Sequence, residues 1–111
     1  IKIHNGVIKT LKTLKKNKKI VGILTSKERV RTLKTLSKLK IKVDLILCPH
    51  KNLIGKPNPK QINDLTKKRR VSKEEIVYIG DMRVDKLTAK NAKVDYIHAN
   101  YGYGKNISSI F

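Results

Sequence analysis

Short runs of β-branched and apolar residues alternate with stretches whose apolar residues recur every three or four positions, and this alternation limits the fold most tightly. Val7, Ile8, Leu11 and Leu14 share one helical face after Gly6, so residues 6–17 read as an amphipathic helix. Ile20-Val21-Gly22-Ile23-Leu24 reads as a buried strand running into Thr25-Ser26. Val30, Leu33, Leu36 and Leu39 mark a second helix beginning near Lys27. Asp44 to Cys48 is a second strand, stopped by Pro49. Residues 51–57 read as a loop, after which Asn58 is expected to cap a third helix with Pro59 at its first position and Ile62 and Leu65 on its apolar face. Ser72 and Glu75 have capping-box spacing, but a strand follows at once, so only a short turn is expected there. Ile76-Val77-Tyr78-Ile79 forms that third strand, buried and ending at Gly80. Val84, Leu87, Thr88 and Asn91-Ala92 mark a fourth helix, Val94 to His98 a fourth strand, and Tyr101-Gly102-Tyr103-Gly104 a glycine-punctuated loop. Strands alternating with helices over short loops imply an α/β domain, its parallel sheet covered on both faces. No internal repeat or linker divides residues 1–111, which read as one domain or part of one.

Composition narrows the function classes. With 111 residues the chain can bury one core, near the lower end for an α/β enzyme. Residue 1 is Ile, so the chain is expected to be processed or part of something longer. No apolar run approaches the roughly 20 residues that cross a bilayer, and no secretory signal is present, so no membrane partner is expected. The single Cys48 cannot form an internal disulfide, which suits a reducing cytoplasm. The net charge of +19 comes mostly from Lys and is spread over every expected helix, with one dense block at Lys67-Lys68-Arg69-Arg70. That block closes a helix, where cations complement the dipole. With four Tyr and one Phe there is no aromatic interleaving for base stacking. The charge therefore reads as a solvated lysine-rich surface. It attracts anionic substrates and binds nucleic acid only weakly and non-specifically.

Three of the strand ends carry residues suited to phosphate. Thr25-Ser26 places hydroxyls and backbone N–H groups at a helix start, a ready anion site, although either residue serves equally as a plain helix cap. In Gly55-Lys56-Pro57-Asn58-Pro59 a lysine is pinned between a glycine and a rigid turn, which suits its ammonium to be a point charge for phosphate, although a Pro-rich turn with an incidental lysine also accounts for the motif in a chain this rich in Lys. Asp81 and Asp85 follow Gly80 at the carboxyl end of the third strand, where open α/β sheets bind their ligands. A carboxylate pair there suits Mg2+, which takes one or two protein carboxylates together with substrate phosphate. Asp85 alone could equally sit in the first helical turn for the sake of the dipole. Cys48 and His50 lack the further pair that structural zinc needs. His98 reads as a packed or rim residue, His4 has no context, and Met82 and Arg83 read as loop residues at the rim of the acidic motif.

Taken in order, Gly22-Ile23-Leu24-Thr25-Ser26-Lys27, Gly55-Lys56-Pro57-Asn58-Pro59 and Tyr78-Ile79-Gly80-Asp81-Met82-Arg83-Val84-Asp85 resemble the haloacid-dehalogenase-like phosphohydrolases, in particular the phosphoglycolate-phosphatase-like group. The run from Ala89 through Gly104 is similar to that family's C-terminal end. The resemblance implies a Rossmann-like parallel sheet flanked by helices, and a phosphomonoester hydrolase acting through an aspartyl-phosphate. It implies that the Thr25 hydroxyl and Ser26 N–H hold a phosphoryl oxygen, and that Lys56 neutralises phosphate and nucleophile. It further implies that Asp81 ligates Mg2+ and that Asp85 supports the metal directly or through water. The implied substrate is a small phosphorylated metabolite.

One departure stands out. The family's first motif, Asp-x-Asp, supplies nucleophile and general acid, and no Asp-x-Asp occurs in this sequence. The expectation is therefore a C-terminal fragment with an incomplete fold, its first strand and helical cap lying upstream of Ile1 and its isolated activity absent. That first strand is central in the family's sheet, between the strands ending at Thr25 and Gly80. Lys93 departs more modestly, standing where the family usually has Gly. The competing class is a non-catalytic anion- or nucleic-acid-binding module on the same scaffold. A receiver-type phosphoacceptor domain is disfavoured because it too needs a central Asp. The particular phosphate ester and the oligomeric state have no signature in the sequence.

Overall fold

The structure is a computed structural model, described over residues 6–49 and 55–99. The chain divides into two compact units, Ile1–Asn52 and Leu53–Phe111. The expected loop at Tyr101–Gly104, His4, His50 and most of the loop before Lys56 lie outside the described residues.

The first unit contains α1 (Val7–Lys16), β1 (Gly22–Leu24), α2 (Arg29–Leu39) and β2 (Leu45–Leu47). The two strands pair in parallel, Gly22 opposite Leu45 and Leu24 opposite Leu47, with α2 as the crossover. Gly22 is required by this pairing. A Cβ there would come within 3.0 Å of Leu45 Cγ, so a larger residue would push the partner strand's side chain away. Asp44 ties the two strand entrances together, its carboxylate accepting the Val21 N–H at 2.7 Å while its own N–H reaches the Val21 carbonyl, also at 2.7 Å. Thr32 and Leu36, one turn apart, are the buried residues of α2.

The second unit contains α3 (Lys60–Arg69), a single 3-10 turn at Lys73–Glu75, β3 (Val77–Gly80), α4 (Arg83–Ala92) and β4 (Asp95–His98). β3 and β4 pair in parallel from Val77–Asp95 to Gly80–His98. The core lies between this sheet and α4, where Thr88, Ala89 and Ala92 are buried against Tyr96. Small residues on α4 let the helix approach the sheet closely, and the Thr88 hydroxyl is satisfied by the Val84 carbonyl at 2.6 Å. Ile62 on α3 completes the core.

Every expected element is present, shortened by one to three residues at its ends. The start of α3 lies one residue later than expected, with Pro59 rather than Asn58 at the N-cap position, although Asn58 Oδ1 still accepts the Lys60 N–H at 2.9 Å. The Ser72–Glu75 turn also forms, with Glu75 accepting the Ser72 N–H at 3.0 Å. Expected burial needs correction in both units: Ile20, read as part of a buried strand, precedes β1 and is 56% exposed, and Val30 and Leu33, read as an apolar helix face, are 61% and 48% exposed. The third strand is not buried on both sides, because its side chains alternate. Tyr78 and Gly80 face inward, whereas Val77 and Ile79 are 50% and 55% exposed, and Ile97 beside them on β4 is 46% exposed. A run of four apolar residues cannot reveal this, since period two is visible only where polar residues interrupt it. Lys40, Arg70 and Lys93 all close their helices in the left-handed conformation, at φ 56°, 53° and 60°, positions that usually take Gly.

Candidate active site

The site in the second unit is organised by Asp85. Gly80 ends β3, the chain turns through Asp81 and Met82, and α4 begins at Arg83, so Asp85 falls in the first helical turn. From there its carboxylate folds back over the strand end. Oδ2 accepts the Asp81 and Met82 N–H groups, each at 3.2 Å, satisfying donors that a helix start leaves open. Oδ1 accepts the Lys56 ammonium at 2.6 Å and the Tyr78 hydroxyl at 2.7 Å. Burial alone would raise the Asp85 pKa, but the hydrogen bonds from Lys56 and Tyr78, the Lys56 charge and the Met82 N–H outweigh it and hold the carboxyl below its ordinary value. Tyr78 moves upward, through burial first and then through its hydrogen bond to Asp85, so its hydroxyl remains a donor.

Lys56 is held from its own side as well. Its loop is closed by the Asn58 N–H on the Gly55 carbonyl at 3.0 Å, and Asn91 on α4 donates to the Pro57 carbonyl at 3.0 Å. The side chains of Lys56 and Asp85 are only 15% and 6% exposed, against 57% and 41% for the surface pair Lys60–Asp64. Lys56 is therefore a fixed charge at the strand end. Its ammonium has three protons, and Asp85 uses one. Asp81 lies half-buried on the turn between β3 and α4.

In the first unit, β1 leads into Thr25 and Ser26, and α2 begins three residues after Ser26. The Lys27 N–H donates to Thr25 Oγ1 at 3.1 Å, the local turn of a capping threonine. The hydroxyl accepts in that bond and keeps its proton to donate. The structure thus brings Lys56, Asp81 and Asp85 together, and places Thr25 and Ser26 at the strand-to-helix turn of their own unit.

Asp81 supplies a hard oxygen donor, and one carboxylate beside a phosphate is a donor set that Mg2+ accepts. Among the described residues no group of three or more His, Cys, Asp or Glu side chains is clustered to hold a metal. The residues fit a metal shared with a phosphate better than an all-protein cage. Cys48 is buried and free, and His98 is a packed residue as expected, its Nδ1 3.1 Å from the Tyr96 hydroxyl. Met82 and Arg83 are exposed beside the turn. No helix among the described residues is long and apolar enough to cross a membrane.

Two contributors were not legible in the sequence. Tyr78 is hidden in an apolar run, and its one signal is parity: two residues before Gly80, it shares the face on which α4 begins. Asn91 reads as ordinary helix surface, and only the packing of α4 beside the Lys56 loop gives it a partner.

No curated protein sequence matches the chain. Several solved structures do. A protein from Clostridium difficile, provisionally named a phosphatase, is 27% identical with a TM-score of 0.81 over 93% of this chain and 49% of its own. A provisionally named haloacid dehalogenase-like hydrolase from Bacteroides fragilis is 30% identical with a TM-score of 0.77, over 85% of this chain and 46% of its own. A protein from Lactobacillus delbrueckii, provisionally named a phosphoglycolate phosphatase, is 25% identical with a TM-score of 0.76, over 88% and 41%. The chain thus spans less than half the length of each of these relatives and shares their Rossmann-type α/β fold in part. The family model described as haloacid dehalogenase-like hydrolase matches residues 1–99. With nearly the whole chain matched and the lysine and acidic motifs joined at one strand end, this protein belongs to the haloacid dehalogenase-like hydrolases.

Proposed function

We propose that the chain is part of a Mg2+-dependent phosphomonoester hydrolase core that acts on a small phosphorylated metabolite. The observation that carries this is the Lys56–Asp85 pair beside Asp81. A largely buried ammonium, paired with Asp85 among the described residues and held at the end of a parallel strand, is a site for a dianionic group. The solved relatives named phosphatase and phosphoglycolate phosphatase support the same substrate class.

In this reading Lys56 offsets the repulsion between the phosphate and an anionic nucleophile. Thr25 donates its hydroxyl proton, and Ser26 its N–H, to a phosphoryl oxygen. Asp81 is the carboxylate that holds Mg2+, and Asp85 supports that arrangement through the Asp81 N–H. When bound, Mg2+ supplies positive charge to the phosphoryl oxygens. The nucleophilic aspartate belongs to an Asp-x-Asp strand outside these 111 residues, because the sequence contains no such motif. Cytoplasmic operation accords with the lone free cysteine.

The test has two arms. The reading frame containing this chain is expected to encode an Asp-x-Asp strand upstream of Ile1. The protein from that frame should hydrolyse p-nitrophenyl phosphate with Mg2+ and lose at least about a hundredfold in kcat/KM on Lys56→Ala. The 111 residues by themselves should show no turnover. Clear Mg2+-dependent turnover by the short chain, or full activity of the Lys56→Ala protein, overturns the assignment.

A further inference from the structure

We propose that Tyr78 is a positioning residue that fixes the lysine of the phosphate site, acting through Asp85. This rests on the phosphatase reading above only for what the lysine is for; the positioning itself is a matter of geometry.

Asp85 Oδ1 is shared by two donors, Lys56 Nζ at 2.6 Å and Tyr78 OH at 2.7 Å. Oδ2 is occupied by two backbone N–H groups. Those two bonds, each 3.2 Å, hold only the far oxygen, so with Lys56 as the sole partner of Oδ1 the near oxygen could swing with the ammonium when Lys56 turned toward an anion. Tyr78 removes that freedom, because the phenol holds the same oxygen from the strand side. The phenol is itself immobilised. Its ring lies 5.9 Å from the ring of the buried Tyr96 at an angle of 54°, an arrangement that favours edge-on packing. Tyr78 and Tyr96 are register partners across the parallel pair, so sheet pairing sets the ring position. Lys56 then engages an anion with its remaining protons while its anchor stays in place, which is what preorganisation requires.

A purely packing role predicts that Phe serves as well, since the ring is retained. The two roles therefore separate in Tyr78→Phe. The protein from the reading frame that contains this chain is treated with an amine-acylating reagent, and the rate at each lysine within residues 1–111 is read by mass spectrometry. In Tyr78→Phe the acylation of Lys56 is expected to rise about tenfold, the range over which outer partners tune a ligand, while the exposed lysines keep their rates. Tyr96→Phe, which removes a buried hydroxyl that does not touch Asp85, should leave Lys56 unchanged. On the unaltered chain, NMR should give a cross-peak between the Lys56 ammonium and Tyr78 hydroxyl protons, a readout that needs no variant to fold. An unchanged Lys56 rate in folded Tyr78→Phe, or the absence of that cross-peak, overturns the inference. Affinity for inorganic phosphate with Mg2+ is measured alongside. If Lys56→Met leaves it unchanged, the phosphate-site reading fails, whereas the acylation result still decides the role of Tyr78.

Discussion

Gly80 leaves room for Asp85: a Cβ on Gly80 would come within 2.7 Å of Asp85 Oδ2 and closer still to the rest of that side chain. The glycine at the end of β3 therefore serves a close approach, without which the carboxylate could not fold back onto the Asp81 and Met82 N–H groups. Gly80→Ala is expected to displace Asp85 and to destabilise the chain by about 1–3 kcal/mol, as overpacking does. Urea denaturation followed by circular dichroism measures this. A change below about 0.5 kcal/mol would show that the strand end yields freely.

Asp85→Asn should be more costly than its size suggests. The substitution removes one charge of a buried pair and leaves Lys56 uncompensated, at a cost of about 3 kcal/mol near neutral pH. The same substitution at Asp64, whose pair with Lys60 is exposed, should cost less than about 0.5 kcal/mol. Equal losses at the two sites in urea titrations would contradict the burial argument.

The Asp85 carboxyl also sets an acid limit. Its folded pKa lies below its unfolded value, so the folded state binds fewer protons and the stabilisation is fully present above the ordinary carboxylate range. It is lost as pH falls through that range and into the depressed folded pKa. The urea midpoint of the unaltered chain should therefore drop below about pH 4. Asp85→Asn should flatten that part of the profile, and parallel curves for the two proteins would assign the acid sensitivity elsewhere.

Lys93→Gly should stabilise the chain. Lys93 closes α4 at φ 60°, where a side chain is strained, and its N–H bonds back to the Lys90 carbonyl at 3.1 Å. Gly in the same conformation relieves about 0.5–1 kcal/mol. A melting temperature unchanged or lowered by the substitution would mean that the cation at the helix end compensates for the strain.

The net charge of +19 should act as a diffuse field. Fluorescence anisotropy with random-sequence duplex DNA is expected to show weak binding that falls steeply with salt and is insensitive to sequence. Binding that persists at physiological ionic strength would favour a dedicated nucleic-acid role over the hydrolase reading.

The sequence by itself determined the succession of elements and the motifs at their ends. Helical periodicity indicated helices over 6–17 and from near Lys27, close to the observed Val7–Lys16 and Arg29–Leu39, and the Asn58-Pro59 start signal indicated α3 to within a residue, because these depend on local chemistry a few residues long. It also singled out Lys56, Asp81 and Asp85, since a pinned lysine and an acidic pair are unusual where a buried strand ends. What it could not contain was the partnership. Lys56 and Asp85 are 29 residues apart, and only the packing of α4 against β3 and β4 decides that one carboxylate receives Lys56, Tyr78 and two backbone donors together. The exposure of Val77, Ile79 and Ile97 is of the same kind. Apolar character states a preference for burial, but which face of a sheet is covered depends on where the helices lie. That is a property of the assembled chain, not of any run of residues within it.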